Sequence, residues 1–137
     1  MSRTRKITLG EGNYTEGDIR EGARALTGYT VDDDEFVFRR GMHDAGHKTI
    51  LGQRGNFDGD AFAMICLRQR ACAPFFAYKL YRHFVADTDE QLTPDQKVVI
   101  LRLGKELIDQ RYAIAPVLKM LFKSRHLYDD AIIGNQI

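Results

Sequence analysis

Apolar residues recur every three or four positions through most of this chain, and the recurrence breaks once, between about residues 36 and 60. Ahead of the break, Ile19, Ala23 and Leu26 lie at helical spacing behind Thr15-Glu16-Gly17-Asp18. That tetrad resembles a capping box with Asp in place of Glu, in which the Thr15 hydroxyl can accept from the Asp18 amide. Gly28 is placed to end the helix in the left-handed conformation, so a helix is predicted over 16–27. Beyond the break, Asp58 or Asp60 can cap a helix carrying Phe62, Ile65 and Cys66. A further helix over 71–86 presents Cys72, Phe75, Phe76, Leu80, His83 and Phe84 as a broad apolar stripe, with Pro74 in its first turn, where no amide bond is lost. An acidic connector at 87–91 leads to Thr93-Pro94-Asp95-Gln96, a strong helix start with Thr at the cap and Pro at the first position. Residues 98–109 carry apolar side chains on more than one face, which predicts a helix buried on two sides. Pro116 opens a last helix with Val117, Leu118, Leu121 and Phe122. Residues 1–13 and 129–137 lack the period and are expected to be poorly ordered.

Inside the break, Phe36-Val37-Phe38 follows an acidic turn and Thr49-Ile50-Leu51 forms a second short run, with Gly41 and Gly46 between them. The pattern predicts a small irregular β-hairpin at about 36–51 with a wide loop. The expected architecture is therefore one mainly α domain of four to five helices, with a hairpin inserted after the first.

Composition narrows the function more than the fold. The chain has 137 residues, 44% hydrophobic and 28% charged, with a formal net charge of +1. That balance gives no strong field for nucleic acid, and no nucleic-acid partner is expected. No apolar run approaches the length of a membrane span. The N-terminal residues are too polar for a signal peptide, which makes the cytoplasm the default location. Cys66 and Cys72 do not form a CxxC pair; they read as two buried thiols, with a disulfide as the alternative.

The polar break holds the candidate chemistry. Gly41 and Gly46 have the spacing of a phosphate loop, but His47 intervenes before Lys48, and a strand-like run follows where that loop needs a helix. His43, Asp44 and His47 could be metal ligands or acid–base groups, with Lys48 or Arg40 holding an anion. Against this stands a loop held by its own hydrogen bonds, Asp44 to turn amides and His43 to backbone. Asn56, Asp58 and Asp60 alternate as in the first half of a calcium loop, but Gly59 is out of register and position twelve is Leu67. Helix capping suits them better. Arg39, Arg40, Arg54, Arg68 and Arg70 could form an anion patch, although acids at 32–35, 58 and 60 suffice to pair with them. His83, on an aromatic helix, reads as a satisfied, partly buried histidine.

These residues resemble a bacterial family known as domain of unknown function 1800 (DUF1800). The resemblance rests on Thr8-Leu9-Gly10, Gly12-Asn13-Tyr14-Thr15-Glu16, Asp18-Ile19-Arg20-Glu21, Ala23-Arg24-Ala25-Leu26-Thr27-Gly28, His43-Asp44, Lys48-Thr49 and the stretch 55–60, in family order. Gly22 and Tyr29 depart from it, where the family tends to carry Ala and Trp. Members look longer at the N-terminal side, so the resemblance implies a C-terminal portion of the family domain, and many relatives look exported. It implies no catalytic residue and no cofactor. The resulting expectation is a non-catalytic structural or protein-interaction module in which His43, Asp44, Lys48, Asn56, Asp58 and Asp60 order the loop. Its partner would be a missing N-terminal half or a second copy, with the open face drawn from 62–67, 72–84 and 98–108. The alternative is a metal-assisted hydrolase built on His43, Asp44, His47 and Lys48.

Overall fold

The computed structural model describes residues 9–10, 12–86 and 91–133. Most of the expected disordered N-terminus, the body of the acidic connector and the last four residues lie outside these. The chain divides into two compact units, Glu11–Gln69, and Arg70–Ile137 with Met1–Gly10.

The first unit begins with α1 (Glu16–Ala25), whose start is the expected capping box. The Thr15 hydroxyl accepts from the Asp18 amide at 3.1 Å, and the Asp18 carboxylate accepts from the Thr15 amide at 2.8 Å. Gly28 follows with φ of 86°, and a Cβ there would lie 2.8 Å from the Arg39 carbonyl oxygen, so the chain reverses where a side chain has no room. Two antiparallel hairpins then replace the single wide one expected. Strand β1 (Tyr29–Asp32) pairs with β2 (Glu35–Phe38), and β3 (Lys48–Ile50) with β4 (Gln53–Gly55). Each is closed by a two-residue turn with positive φ at both positions, Asp33-Asp34 (48° and 63°) and Leu51-Gly52 (49° and 79°). This conformation matches the twist of paired strands. Phe36-Val37-Phe38 therefore pairs with the residues just before it, not with Thr49-Ile50-Leu51, because a tight local turn closes at less entropic cost than a wide loop.

Helix α2 (Gly59–Leu67) starts at Asp58, whose carboxylate accepts from the Ala61 amide at 2.9 Å. The Tyr29 hydroxyl accepts from the Gly59 amide at 3.1 Å, occupying a second open donor of the same helix end. Ala25, Ile50 and Ile65 form a small core, flanked by Leu51, Phe57 and Phe62. Phe62 lies against Gly22, where a Cβ would approach its ring to 2.8 Å.

The second unit is helical. Helix α3 (Cys72–Phe84) presents Ala73, Ala77 and Tyr81 at every fourth position, all buried. It packs on α4 (Pro94–Asp109), which starts at the expected Thr93–Gln96 capping box and buries Ile100, Leu103 and Leu107. Helix α5 (Ile114–Phe122) adds Val117 and Leu121 to this core. A 3-10 turn (Arg125–Tyr128) and one helical turn (Asp130–Ile133) end the described chain. The helix over 94–109 buries one side only: Val98 (55% exposed), Leu101 (63%) and Ile108 (59%) face solvent on the opposite side. Neither cysteine is in a disulfide; Cys72 is buried and Cys66 half-buried.

Two aromatic hydroxyls are buried with partners. The Gln96 carboxamide oxygen accepts from the Thr93 amide at 3.0 Å, which leaves its NH2 group for Tyr81. The Tyr81 hydroxyl also shares a hydrogen bond with His126 Nε2 at 2.6 Å. Burial pushes the Tyr112 hydroxyl up to about 12, helped by its bond to the Cys72 thiol.

Replacement of Asp58 by Ala removes the cap of α2 and is expected to lower stability by about 1 kcal/mol, read as a lower urea midpoint. An unchanged midpoint would show that Tyr29 alone suffices at that helix end.

Candidate functional site

Helix α1 sets Asp18, Glu21 and Arg24 three residues apart, which places them along one face. That face meets the polar break of the sequence. The Arg24 guanidinium grips Asp44 with two parallel bonds, Nε to Oδ2 at 2.8 Å and Nη2 to Oδ1 at 3.1 Å. Its Nη1 donates to both Glu21 oxygens, at 3.0 and 2.9 Å, and to the His47 carbonyl at 3.2 Å. Glu21 also accepts the Thr49 amide at 3.0 Å, and Asp18 the Leu51 amide at 2.7 Å. The edge of β3 is thus hydrogen-bonded to carboxylates of α1 where a further strand could have paired with it.

The residues of the loop are placed individually. The His43 Nδ1–H donates to the Thr27 carbonyl at 2.9 Å, and its ring lies edge-on to Phe38. The Asp44 amide donates to the Thr27 hydroxyl at 2.7 Å, and Asp44 Oδ1 accepts the Gly46 amide at 2.9 Å. The His47 side chain is exposed. Lys48 is the one fully buried charged side chain among the described residues, 1% exposed. Its Nζ donates to the Asp44 carbonyl, to the Gly46 carbonyl at 3.0 Å and, at the limit of hydrogen bonding, to Asn56 Oδ1 at 3.5 Å. Asp58 caps α2, and Asp60 lies in the first turn of the same helix. Among the described residues, no three His, Cys, Asp or Glu side chains come together around a point where a metal could sit. Arg40 is exposed in a 3-10 turn, and Arg39 pairs with Asp32 at 2.7 Å. His83 is exposed and edge-on to Phe84, not partly buried as expected.

Charge follows this geometry. The guanidinium of Arg24, then the Gly46 amide, hold the Asp44 carboxyl well below the usual carboxylate range. Glu21 is lowered by Arg24 and by the Thr49 amide. At Asp18, partial burial raises the carboxyl, and bonds from the Thr15 and Leu51 amides and the Thr15 hydroxyl more than offset it. Every one of these carboxylates is held ionised, and none is poised to take a proton near neutral pH. Arg24, Glu21 and Asp18 belong to the site although their sequence context shows only helix-surface charge; their partners lie 20 to 33 residues away.

Comparison with known proteins agrees with the sequence resemblance. A family model described as "Protein of unknown function (DUF1800)" matches residues 7–137. Neither a curated protein nor a solved structure matches the chain significantly.

Two outcomes follow from the network. Lys48→Met removes a buried amine and leaves the part-buried Asp44 and Gly46 carbonyls without that donor, with an expected loss of about 1–3 kcal/mol in urea unfolding; a neutral substitution would mean that water serves them equally well. Because folding favours the ionised form of Asp44, its contribution is complete above about pH 4 and is lost as pH falls toward its depressed value. Asp44→Asn is therefore expected to lower the urea midpoint at neutral pH and to flatten its decline below about pH 4. Parallel wild-type and variant profiles would remove Asp44 as a source of acid sensitivity.

Proposed function

The chain belongs to the DUF1800 family of proteins of unknown function, and we propose, from its own surface, that it is a non-catalytic interaction module whose partner is a second copy of itself. The observation that carries this reading is the unburied side of α4. Val98, Leu101 and Ile108 are each more than half exposed and lie along one side, opposite buried Ile100, Leu103 and Leu107. Apolar side chains scattered singly over a surface need no explanation, but an aligned row on one helix is the pattern of a contact face. The row is also self-complementary. Two copies of α4 packed antiparallel about its middle set Val98 against Ile108 and Leu101 against the aliphatic stem of Lys105, whose amine is paired with Asp109 of its own helix. A two-fold interface requires that kind of reciprocity.

The polar loop supports the absence of catalysis. Asp44 is spent on Arg24, His43 on the Thr27 carbonyl and Lys48 on loop carbonyls. A hydrolase built on His43, Asp44, His47 and Lys48 would first have to break these bonds, so no observation favours it.

Sedimentation equilibrium is expected to show concentration-dependent dimers. Leu101→Asp, at an exposed position, is expected to return a folded monomer whose melting temperature no longer rises with protein concentration. A wild-type chain that stays monomeric throughout the micromolar range would overturn the interface. Stoichiometric metal that disappears in His43→Ala would overturn the non-catalytic reading.

A further inference from the structure

The first unit closes one strand edge and leaves another open. The edge of β3 is bonded to Glu21 and Asp18 of α1. The edge of β2 has no such cover. The Arg39 amide donates to the Gly28 carbonyl at 2.8 Å, and the alternation of an antiparallel ladder then makes Thr30 with Val37 and Asp32 with Glu35 the other hydrogen-bonded pairs. The backbone amides and carbonyls of Phe36 and Phe38 therefore point away from β1, and they have no hydrogen-bond partner among the described residues. An edge of this kind is a template for another strand. Its side chains also suit one. Val31 and Phe36 lie opposite each other on the face shared with Tyr29 and Phe38, and they are 68% and 70% exposed. On the other face Glu35 lies directly opposite Asp32, like charge against like, and has no ion-pair partner among the described residues.

We propose that β2 pairs antiparallel with β2 of a second copy, about a two-fold axis through Val37. That register sets Phe36 against Phe38 of the other copy and satisfies the outward amides and carbonyls of both strands. It joins the two aromatic faces into one and sets Glu35 opposite Arg39 of the other copy at both ends. Arg39 engages Asp32 through Nη2 alone, in a pair about half exposed on each side. An exposed pair is weak enough to be exchanged or shared, so the guanidinium can turn to the second copy's glutamate. Any strand added here needs an apolar residue against each Phe and a cation against Glu35. The chain carries that pattern in β2 itself, as Phe36-Val37-Phe38-Arg39. A contact of about five residues a side is far smaller than a standard interface, so the pair forms at roughly millimolar concentration. Helix α4 takes no part in it.

The full chain carrying Leu101→Asp, whose α4 row is broken, isolates this contact. Amide NMR spectra recorded from micromolar to millimolar concentration are expected to show shifts centred on residues 35–39, with slowed hydrogen exchange at the Phe36 and Phe38 amides. Glu35→Arg and Arg39→Glu, added singly at these exposed positions, are each expected to weaken pairing about tenfold, because each sets like charges together at both ends. An equimolar mixture of the two variants restores opposite charges and is expected to recover the original affinity. Shifts that are absent at millimolar concentration or centred elsewhere would overturn the proposal, as would a mixture that pairs no better than either variant alone. Exchange slowed only by an added Leu-Val-Leu-Lys-Lys peptide would give the edge to a foreign strand and sink the self-pairing. The charge swap is read at β2, so the α4 interface stands or falls separately.

Discussion

One guanidinium organises the first unit. Arg24 reaches Asp44, Glu21 and the His47 carbonyl at once, and its planar fork meets Asp44 with both available bonds. With Ala25, Ile50 and Ile65 as its only fully buried hydrophobic cluster among the described residues, this unit has little apolar area to order a glycine-rich loop. The polar face of α1 takes over that task. Asp18 and Glu21 accept backbone amides of Leu51 and Thr49, so the helix specifies the register of β3 by hydrogen bonds and not by burial alone. Lysine at position 24 would carry the charge but not the fork, and Asp44 would lose the geometry that aligns it with the Gly46 amide.

The second unit uses the opposite means. Its core runs continuously from Ala77 and Tyr81 through Ile100, Leu103 and Leu107 to Val117 and Leu121, and polar groups enter only where a hydroxyl has a partner. Tyr81 is the clearest case. Its hydroxyl meets His126 Nε2 and receives Gln96, so the residue that caps α4 also fixes a buried ring of α3. One side chain thereby links local helix initiation to tertiary packing.

What the sequence reveals depends on how far apart the interacting residues are. Thr15 with Asp18 and Thr93 with Gln96 are three residues apart, and both helix starts were legible from the chain alone. The hairpins were only partly so. Phe36-Val37-Phe38 reads as a strand, but Asp33-Asp34 and Leu51-Gly52 lack the usual Asn-Gly form of a two-residue turn, so the pattern points to pairing across the wide loop instead. The periodicity of 98–109 shows apolar residues on two sides but not whether anything covers the second. In the loop, the crowding of polar residues is visible, whereas the anchor Arg24 is not, since its partner lies 20 positions away and its own surroundings resemble any solvated helix. His83 misleads for the same reason: an aromatic neighbourhood in sequence turned out to be a surface contact with Phe84.

The enclosure of Lys48 has a chemical consequence. With 1% of its surface accessible and its Nζ ringed by carbonyl oxygens, this amine is beyond the reach of acylating reagents and of enzymes that acetylate or methylate lysine. In the folded chain it is silent to such labels, whereas exposed amines such as Lys105 and Lys123 remain available to them.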